Sequence, residues 1–247
     1  YVATKIPPAN FRWPAAADAA LEDVYPPQHI RAYTERSLAN LGVRTIDLLQ
    51  FHVWNDRWAD DPRWQREVRA LTEAGMVRAW GVSVNRWESR NVLATLETGL
   101  IDAVQVIYNI FDQNPEDELF PRCQALDIAV IARVPFDEGS LTGTLTAESR
   151  WPEGDWRNRY FSPENLLPTL ARVEALKRIV PPGMTLPELA LRFCLQHPAV
   201  STVIPGMRRV AHVEANAAVS DGRPLPPALM AELRRHRWVR TPQPWSD

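Results

Sequence analysis

The chain has 247 residues, a formal net charge of −2 and a pI near 6.3, a balance that gives nucleic acid or an anionic membrane surface no electrostatic hold. Hydrophobic residues make up 45%, enough for a sizeable core, yet no run of about 18 apolar residues offers a transmembrane helix. Cys123 and Cys194 stand in no CxxC or Cys/His spacing, which argues against a metal site of that kind and against a disulfide framework, and leaves a reducing cytosol as the expected compartment.

Tyr1-Val2-Ala3-Thr4-Lys5-Ile6 opens the chain as a strand, with neither an initiator Met nor a charged and apolar leader before it, so it reads as a domain entered part-way. A Pro- and Ala-rich stretch, Pro7–Pro27, follows and is expected to lie as a loop over one rim. Gln28–Gly42 has helical spacing, with Ile30, Leu38 and Leu41 apolar and Gly42 as its stop. Strand Ile46–Phe51, helix Arg63–Ala74, strand Val77–Val82, helix Glu88–Thr98 and strand Ala103–Ile107 come next, with Gly75 and Gly99 ending the two helices. Helix Asp117–Leu126 leads to strand Ala129–Ala132, then to an irregular stretch from Val134 to about Ser162. Helices Leu166–Val180 and Leu186–Gln196 flank Pro181-Pro182-Gly183, Val200–Ile204 is the last strand, and helices Val210–Val219 and Pro227–His236 close the chain.

Repeated strand–helix units imply a parallel sheet with right-handed crossovers. Their spacing of about 30 residues is that of a TIM-type (β/α)8 barrel, of which six strands are visible; the first two βα units are expected to be missing ahead of Tyr1. Residues 1–247 are read as one such partial barrel domain. No strand is followed by Gly-x-Gly-x-x-Gly or by a P-loop, so a Rossmann-type dinucleotide site has no support.

Barrel enzymes carry their active sites at the C-terminal ends of the strands. Those ends here deliver Lys5, His52, Ser83, Gln105 with Tyr108-Asn109, Arg133, and Gly206 with Arg208. Each alone is as well explained by a solvated strand end or a structural hydrogen bond. Their recurrence at one rim is the pattern expected of a binding cleft.

The stretches VATK (Val2–Lys5), SLANLGVRTIDLLQFH (Ser37–His52), GMVRAWGVS (Gly75–Ser83), VQVIYN (Val104–Asn109) and VIPGMRRVAHVEAN (Val203–Asn216) together resemble the aldo-keto reductase family, in the family's order. The resemblance implies an NADP(H)-dependent reduction of an aldehyde or ketone, with a small-molecule carbonyl compound as partner and no metal. The family uses an Asp, Tyr, Lys, His tetrad. By the match Lys5 is its lysine and His52 its histidine; its Asp and Tyr fall on segments before VATK, and Tyr25 and Tyr33 have no support as substitutes. Ser83 and Gln105 match the positions that hold the nicotinamide carboxamide. Arg133 stands where an aromatic ring often stacks on the nicotinamide, a role a planar guanidinium can take. Pro135–Gly143, including Pro135, Gly139, Ser140 and Leu141, resembles the segment whose backbone follows the pyrophosphate. Gly206, Met207 and Arg208, with His212 and Asn216, resemble the adenosine 2′-phosphate and adenine site, and the charge and fork of Arg208 favour NADP. Trp54, just after His52, is expected to wall the substrate pocket, whereas Trp58 and Trp64 read as packing residues.

Two other readings stay open. The first is a nicotinamide-cofactor-binding, non-catalytic or regulatory protein of the same fold. The second is an isomerase or lyase on another barrel with Lys5 forming a Schiff base, which leaves the cofactor-side motifs unexplained.

Overall fold

The computed structural model describes residues 1–85 and 88–240. In chain order it contains β1 (Ala3–Ile6), α1 (Leu21–Val24), α2 (Pro27–Leu41), β2 (Ile46–Phe51), α3 (Pro62–Glu73), β3 (Val77–Ser83), α4 (Leu93–Leu96), β4 (Ala103–Ile107), α5 (Leu119–Ala125) and β5 (Ala129–Arg133). These are followed by α6 (Arg157–Tyr160), α7 (Pro163–Lys177), α8 (Leu186–Leu195), β6 (Val200–Ile204), α9 (Val210–Ala218) and α10 (Pro227–Arg234). The six strands form one sheet in the order β1-β2-β3-β4-β5-β6, and the first three pairs are parallel, each joined by a crossover that contains a helix.

The chain divides into two compact units, one of residues 1–106 and 115–130, the other of residues 107–114 and 131–247. In the first unit, the strand register fixes which side chains share a face. Ile6, Phe51 and Val82 lie side by side in successive strands, as do Leu49 and Trp80, so these alternate positions form an apolar patch on one face of β1 to β3. Trp54, Trp58 and Trp64 pack there with Phe51 and Trp80: Phe51 and Trp80 stack at 5.7 Å, and Trp54 meets Trp64 edge-on at 5.2 Å. All four indoles are buried and each N–H is satisfied: Trp54 donates to Thr95 Oγ1, Trp58 to Ala19 O, Trp64 to Trp58 O and Trp80 to Thr72 Oγ1.

Helix α3 shows how the local sequence builds this layer. Asp61 caps it by accepting from Arg63 N–H, Pro62 supplies the first helical residue, and Trp64, Val68 and Leu71 fall on one buried stripe. The helix expected over Glu88–Thr98 contracts to the single turn α4. Its Asn91 and Thr95 are recruited by the neighbouring loop: the Asp56 carboxylate accepts from the N–H groups of Ala94 and Thr95 and from Thr95 Oγ1, while Asn91 Oδ1 accepts from Asp56 N–H. These bonds fix the turn from outside and replace the capping that a longer helix needs at its own start.

The second unit is organised around α8, whose Leu189, Ala190, Phe193 and Cys194 are buried, with Phe193 stacked on Tyr108 at 5.5 Å. Arg192, also buried, donates to Glu188, to both carboxylate oxygens of Asp221 and to Arg223 O, fastening α8 to the turn after α9. Hydrogen bonding from Arg192, aided by Arg223, holds the Asp221 carboxyl well below the usual carboxylate range. A depressed folded-state value means that this stabilisation is complete above the unfolded-state value, about 3.9, and fades as pH falls toward the folded-state value. Asp221→Asn is therefore expected to lower the midpoint of thermal unfolding at pH 7, with the gap to wild type closing as unfolding is followed below about pH 4.

Candidate functional site

The face of the sheet opposite the tryptophan layer carries polar groups. Lys5 pairs in register with Gln50, Gln50 with Gly81, Gly81 with Ala103, and Ser83 with Gln105, so Lys5, Gln50, Ser83 and Gln105 all project from the same side of β1 to β4. Gln50, Ser83 and Gln105 are buried and Lys5 is half-buried. Gln50 Nε2 donates to Gln105 Oε1 at 3.5 Å, whereas Gln50 Oε1 is buried with no hydrogen-bond partner among the described residues. Gly81 makes room for this arrangement. A methyl group there would sit 2.8 Å from Gln50 Cγ and 3.0 Å from Ala103 O.

His52 follows β2 directly; its N–H donates to Ile6 O and its ring is exposed, meeting Trp13 edge-on at 5.7 Å. The Pro7–Pro27 stretch brings Trp13 there. Asn55 Nδ2 donates to Ala16 O and Ala17 O, Arg57 Nη1 to Ala17 O, Trp58 Nε1 to Ala19 O, and His29 Nε2 to Pro7 O. This fastening leaves Phe11 61% and Trp13 45% exposed. Trp54, expected to wall the substrate pocket, is instead buried in the tryptophan layer with its N–H bonded, so it presents no ring to a ligand; the open aromatic surface beside His52 belongs to Trp13. Tyr25 is no proton donor. It is fully buried, its hydroxyl donates to Ile6 O and accepts from Val53 N–H, and burial pushes its phenol above the ordinary tyrosine value. Burial likewise pushes the Cys123 thiol up to about 12, so no thiolate is on offer there.

In the second unit, Arg133 ends β5, its carbonyl accepting from Tyr108 N–H at 3.3 Å. Pro135 is buried, and the following loop is unusual in its backbone: Asp137 (φ 45°), Glu138 (φ 56°) and Gly139 (φ 110°) are consecutive left-handed residues. Ser140 Oγ is turned inward to Asp137 Oδ2 at 2.7 Å and Leu141 is buried, so whatever these two residues offer a ligand comes from the main chain. Gly206, Met207, Arg208 and His212 are exposed, and Asn216 Nδ2 donates to Gly206 O at 3.4 Å, tying α9 to the loop before it.

These groups fit a nicotinamide cofactor. A carboxamide needs donors and acceptors together, which the Ser83 hydroxyl and the Gln105 amide supply, and the orphaned Gln50 acceptor calls for an N–H. Gln50 was legible in the strand pattern IDLLQF, since it stands two residues before His52 and therefore on the same face. Trp13, inside an irregular loop, carried no such signal.

The model of the Aldo/keto reductase family matches residues 1–237. Curated relatives include NADH-specific methylglyoxal reductase of Escherichia coli, 28% identical over 78% of this chain and 59% of its own length. D-threo-aldose 1-dehydrogenase of a Pseudomonas species is 30% identical over 87% of this chain and 64% of its own length. The chain spans about six-tenths of the length of the curated relatives it matches. Among solved structures, a glycerol dehydrogenase of Gluconobacter oxydans superposes with a TM-score of 0.71 at 26% identity, covering 85% of this chain and 64% of that one. The holo form of an aldo-keto reductase of Bacillus halodurans superposes with a TM-score of 0.70 at 24% identity, covering 100% of this chain and 76% of that one. Together the family model and the structural neighbours imply a (β/α)8 barrel, to which the sequential parallel sheet conforms. With polar side chains gathered on one face of that sheet and the family model spanning nearly its whole length, the chain belongs to the aldo/keto reductase family.

Proposed function

We propose that the protein is an NADP(H)-dependent carbonyl reductase acting on an aldehyde or ketone. The observation that carries the reading is the shared face of Lys5, Gln50, Ser83 and Gln105, polar groups held on a sheet whose other face carries Ile6, Leu49, Phe51, Trp80 and Val82. A bound nicotinamide supplies hydride. Ser83 and Gln105 hold its carboxamide, and Gln50 keeps the Gln105 amide turned so that its N–H donates outward. Lys5 favours the phenolate form of the tyrosine donor, which in this reading is carried with its aspartate on the two βα units that precede β1 in the barrel's order. His52 donates to the substrate carbonyl and orients it. In place of Trp54, Trp13 lies against the substrate.

For the second unit each assignment is proposed residue by residue from the sequence pattern: Arg133 on the nicotinamide ring, Pro135, Gly139, Ser140 and Leu141 along the pyrophosphate, and Gly206, Met207, Arg208, His212 and Asn216 at the adenosine end. The exposed guanidinium of Arg208 supports NADP over NAD. Two free, buried thiols support a cytoplasmic placement. The non-catalytic alternative draws on the burial of Tyr25, whose hydroxyl is engaged by Ile6 O and Val53 N–H.

Binding and turnover separate the two readings. NADPH is expected to quench the tryptophan fluorescence of the protein and to be consumed when a reactive aldehyde is added. Gln105→Leu is expected to weaken NADPH by about tenfold, the worth of one to two hydrogen bonds to a buried amide. Arg208→Ala is expected to weaken NADPH by a similar factor and NADH hardly at all. Quenching without consumption upholds the non-catalytic reading, and no binding of either dinucleotide overturns both.

A further inference from the structure

Within the second unit, the chain beyond α10 returns to the left-handed loop that follows β5. Trp238 N–H donates to Phe111 O at 2.9 Å, and the indole is covered by two guanidinium groups, Arg172 at 4.3 Å and Arg240 at 4.7 Å from the ring centre. That contact delivers Arg240 into the protein interior, where it is buried. Its Nη1 donates to Tyr160 Oη at 2.6 Å, and its Nη2 to Asp137 Oδ1 at 2.8 Å and to Asp112 Oδ2 at 3.1 Å. Asp137 is gripped from two further sides, by Tyr160 Oη donating to Oδ1 at 2.8 Å and by Ser140 Oγ donating to Oδ2 at 2.7 Å. Asp112 receives Asn109 Nδ2 at 3.0 Å.

Two features make this cluster more than a packing detail. Asp137 and Glu138 are non-glycine residues in the left-handed region, a conformation that persists only where surrounding contacts impose it. Two buried carboxylates also share the guanidinium of Arg240, so its removal takes a cation from both of them at the loop. Arg240 lies beyond residues 1–237 that the family model matches, so the family pattern does not assign it.

We propose that Arg240 is a positioning residue for the diphosphate-binding loop: it holds Asp137 and thereby sets the backbone of Asp137–Thr142, and it cancels charge that would repel an anionic ligand. The inference rests on the cofactor reading above. Remote in sequence and buried, Arg240 acts through Asp137 and touches no ligand itself.

The test compares wild type, Arg240→Ala, Arg240→Lys and Tyr160→Phe in the full chain, by NADPH titration and by amide hydrogen exchange in the free protein. Arg240→Ala is expected to raise the NADPH Kd at least tenfold and to speed exchange at Glu138–Thr142 while leaving β1 to β3 unchanged, and Arg240→Lys to recover part of the affinity. Tyr160→Phe, which removes one bond to Asp137 without changing charge, is expected to raise the Kd about threefold and serves where Arg240→Ala does not fold. A folded Arg240→Ala with wild-type exchange in the loop and a Kd within twofold overturns the inference; where that variant does not fold, the same result for Tyr160→Phe overturns it. Wild type that binds neither NADPH nor NADH overturns the cofactor reading and the diphosphate part of the inference, while faster loop exchange in Arg240→Ala or Tyr160→Phe still upholds the positioning of Asp137–Thr142.

Discussion

Replacing Lys5 by methionine is expected to cut aldehyde reduction by about two to four orders of magnitude while NADPH affinity stays within a few-fold of wild type. The size follows from the proton that must reach the nascent alkoxide. A phenol with its ordinary pKa, about 10, is held back at neutral pH unless a neighbouring cation favours its ionised form. Lys5 sits on β1 beside Gln50, on the polar face of the sheet, and methionine keeps its length while removing its charge. His52→Ala is expected to have an effect of the same kind, about a hundredfold, because the ring proposed to orient the carbonyl is lost while the strand before it is not. Steady-state rates measured beside NADPH titrations on the full-length protein check both. Unchanged turnover in the two variants would remove the assignment of this face as the catalytic one.

Trp64→Ala is expected to lower stability by about 3–5 kcal/mol. Trp64 is fully buried, meets Trp54 at 5.2 Å and Phe51 at 6.1 Å, and donates its N–H to Trp58 O at 2.7 Å. Truncation opens a cavity in the layer and strips the Trp58 carbonyl of that donor, two losses that add. Against a total stability of about 5–15 kcal/mol this is a large fraction, visible as a shift in the urea midpoint. Trp13→Ala is the control: Trp13 is 45% exposed and lies outside the layer, and its loss is expected to move stability far less, by about 0.5 kcal/mol. A Trp64 variant as stable as the Trp13 variant would mean that the layer does not hold the first unit together.

The two tryptophans also mark where sequence reading succeeds and stops. Strands Ile46–Phe51, Ala103–Ile107 and Val200–Ile204 were legible to the residue, because short stretches rich in Val, Ile and Leu stand out from the polar, aromatic or proline residues that follow them. The period of two also places Lys5, Gln50, Ser83 and Gln105 on one face. What sequence could not tell was that Trp54 lies inside with Trp58 and Trp64. Trp54 turns inward because Thr95, 41 positions later, offers its indole an acceptor, and no local pattern announces such a partner. Helix Glu88–Thr98 shrank to one turn for a similar reason, its start being set by Asp56 on another loop. Arg240 and Asp137, 103 positions apart, are the extreme case. Charge in a tail reads as solvated until the fold supplies a buried carboxylate for it.

The fastening of the Pro7–Pro27 stretch has a consequence for how such a protein can change. Asn55, Arg57, Trp58 and His29 all grip main-chain carbonyls, those of Ala16, Ala17, Ala19 and Pro7. Every amino acid has that carbonyl, so the shape of the segment is insured against substitution along its own length. Phe11 and Trp13 can then be exchanged for other side chains while their mounting stays put. Under the proposed function, selection for a new substrate would have a short stretch of sequence to work on, next to His52 and decoupled from the stability of the strands beneath.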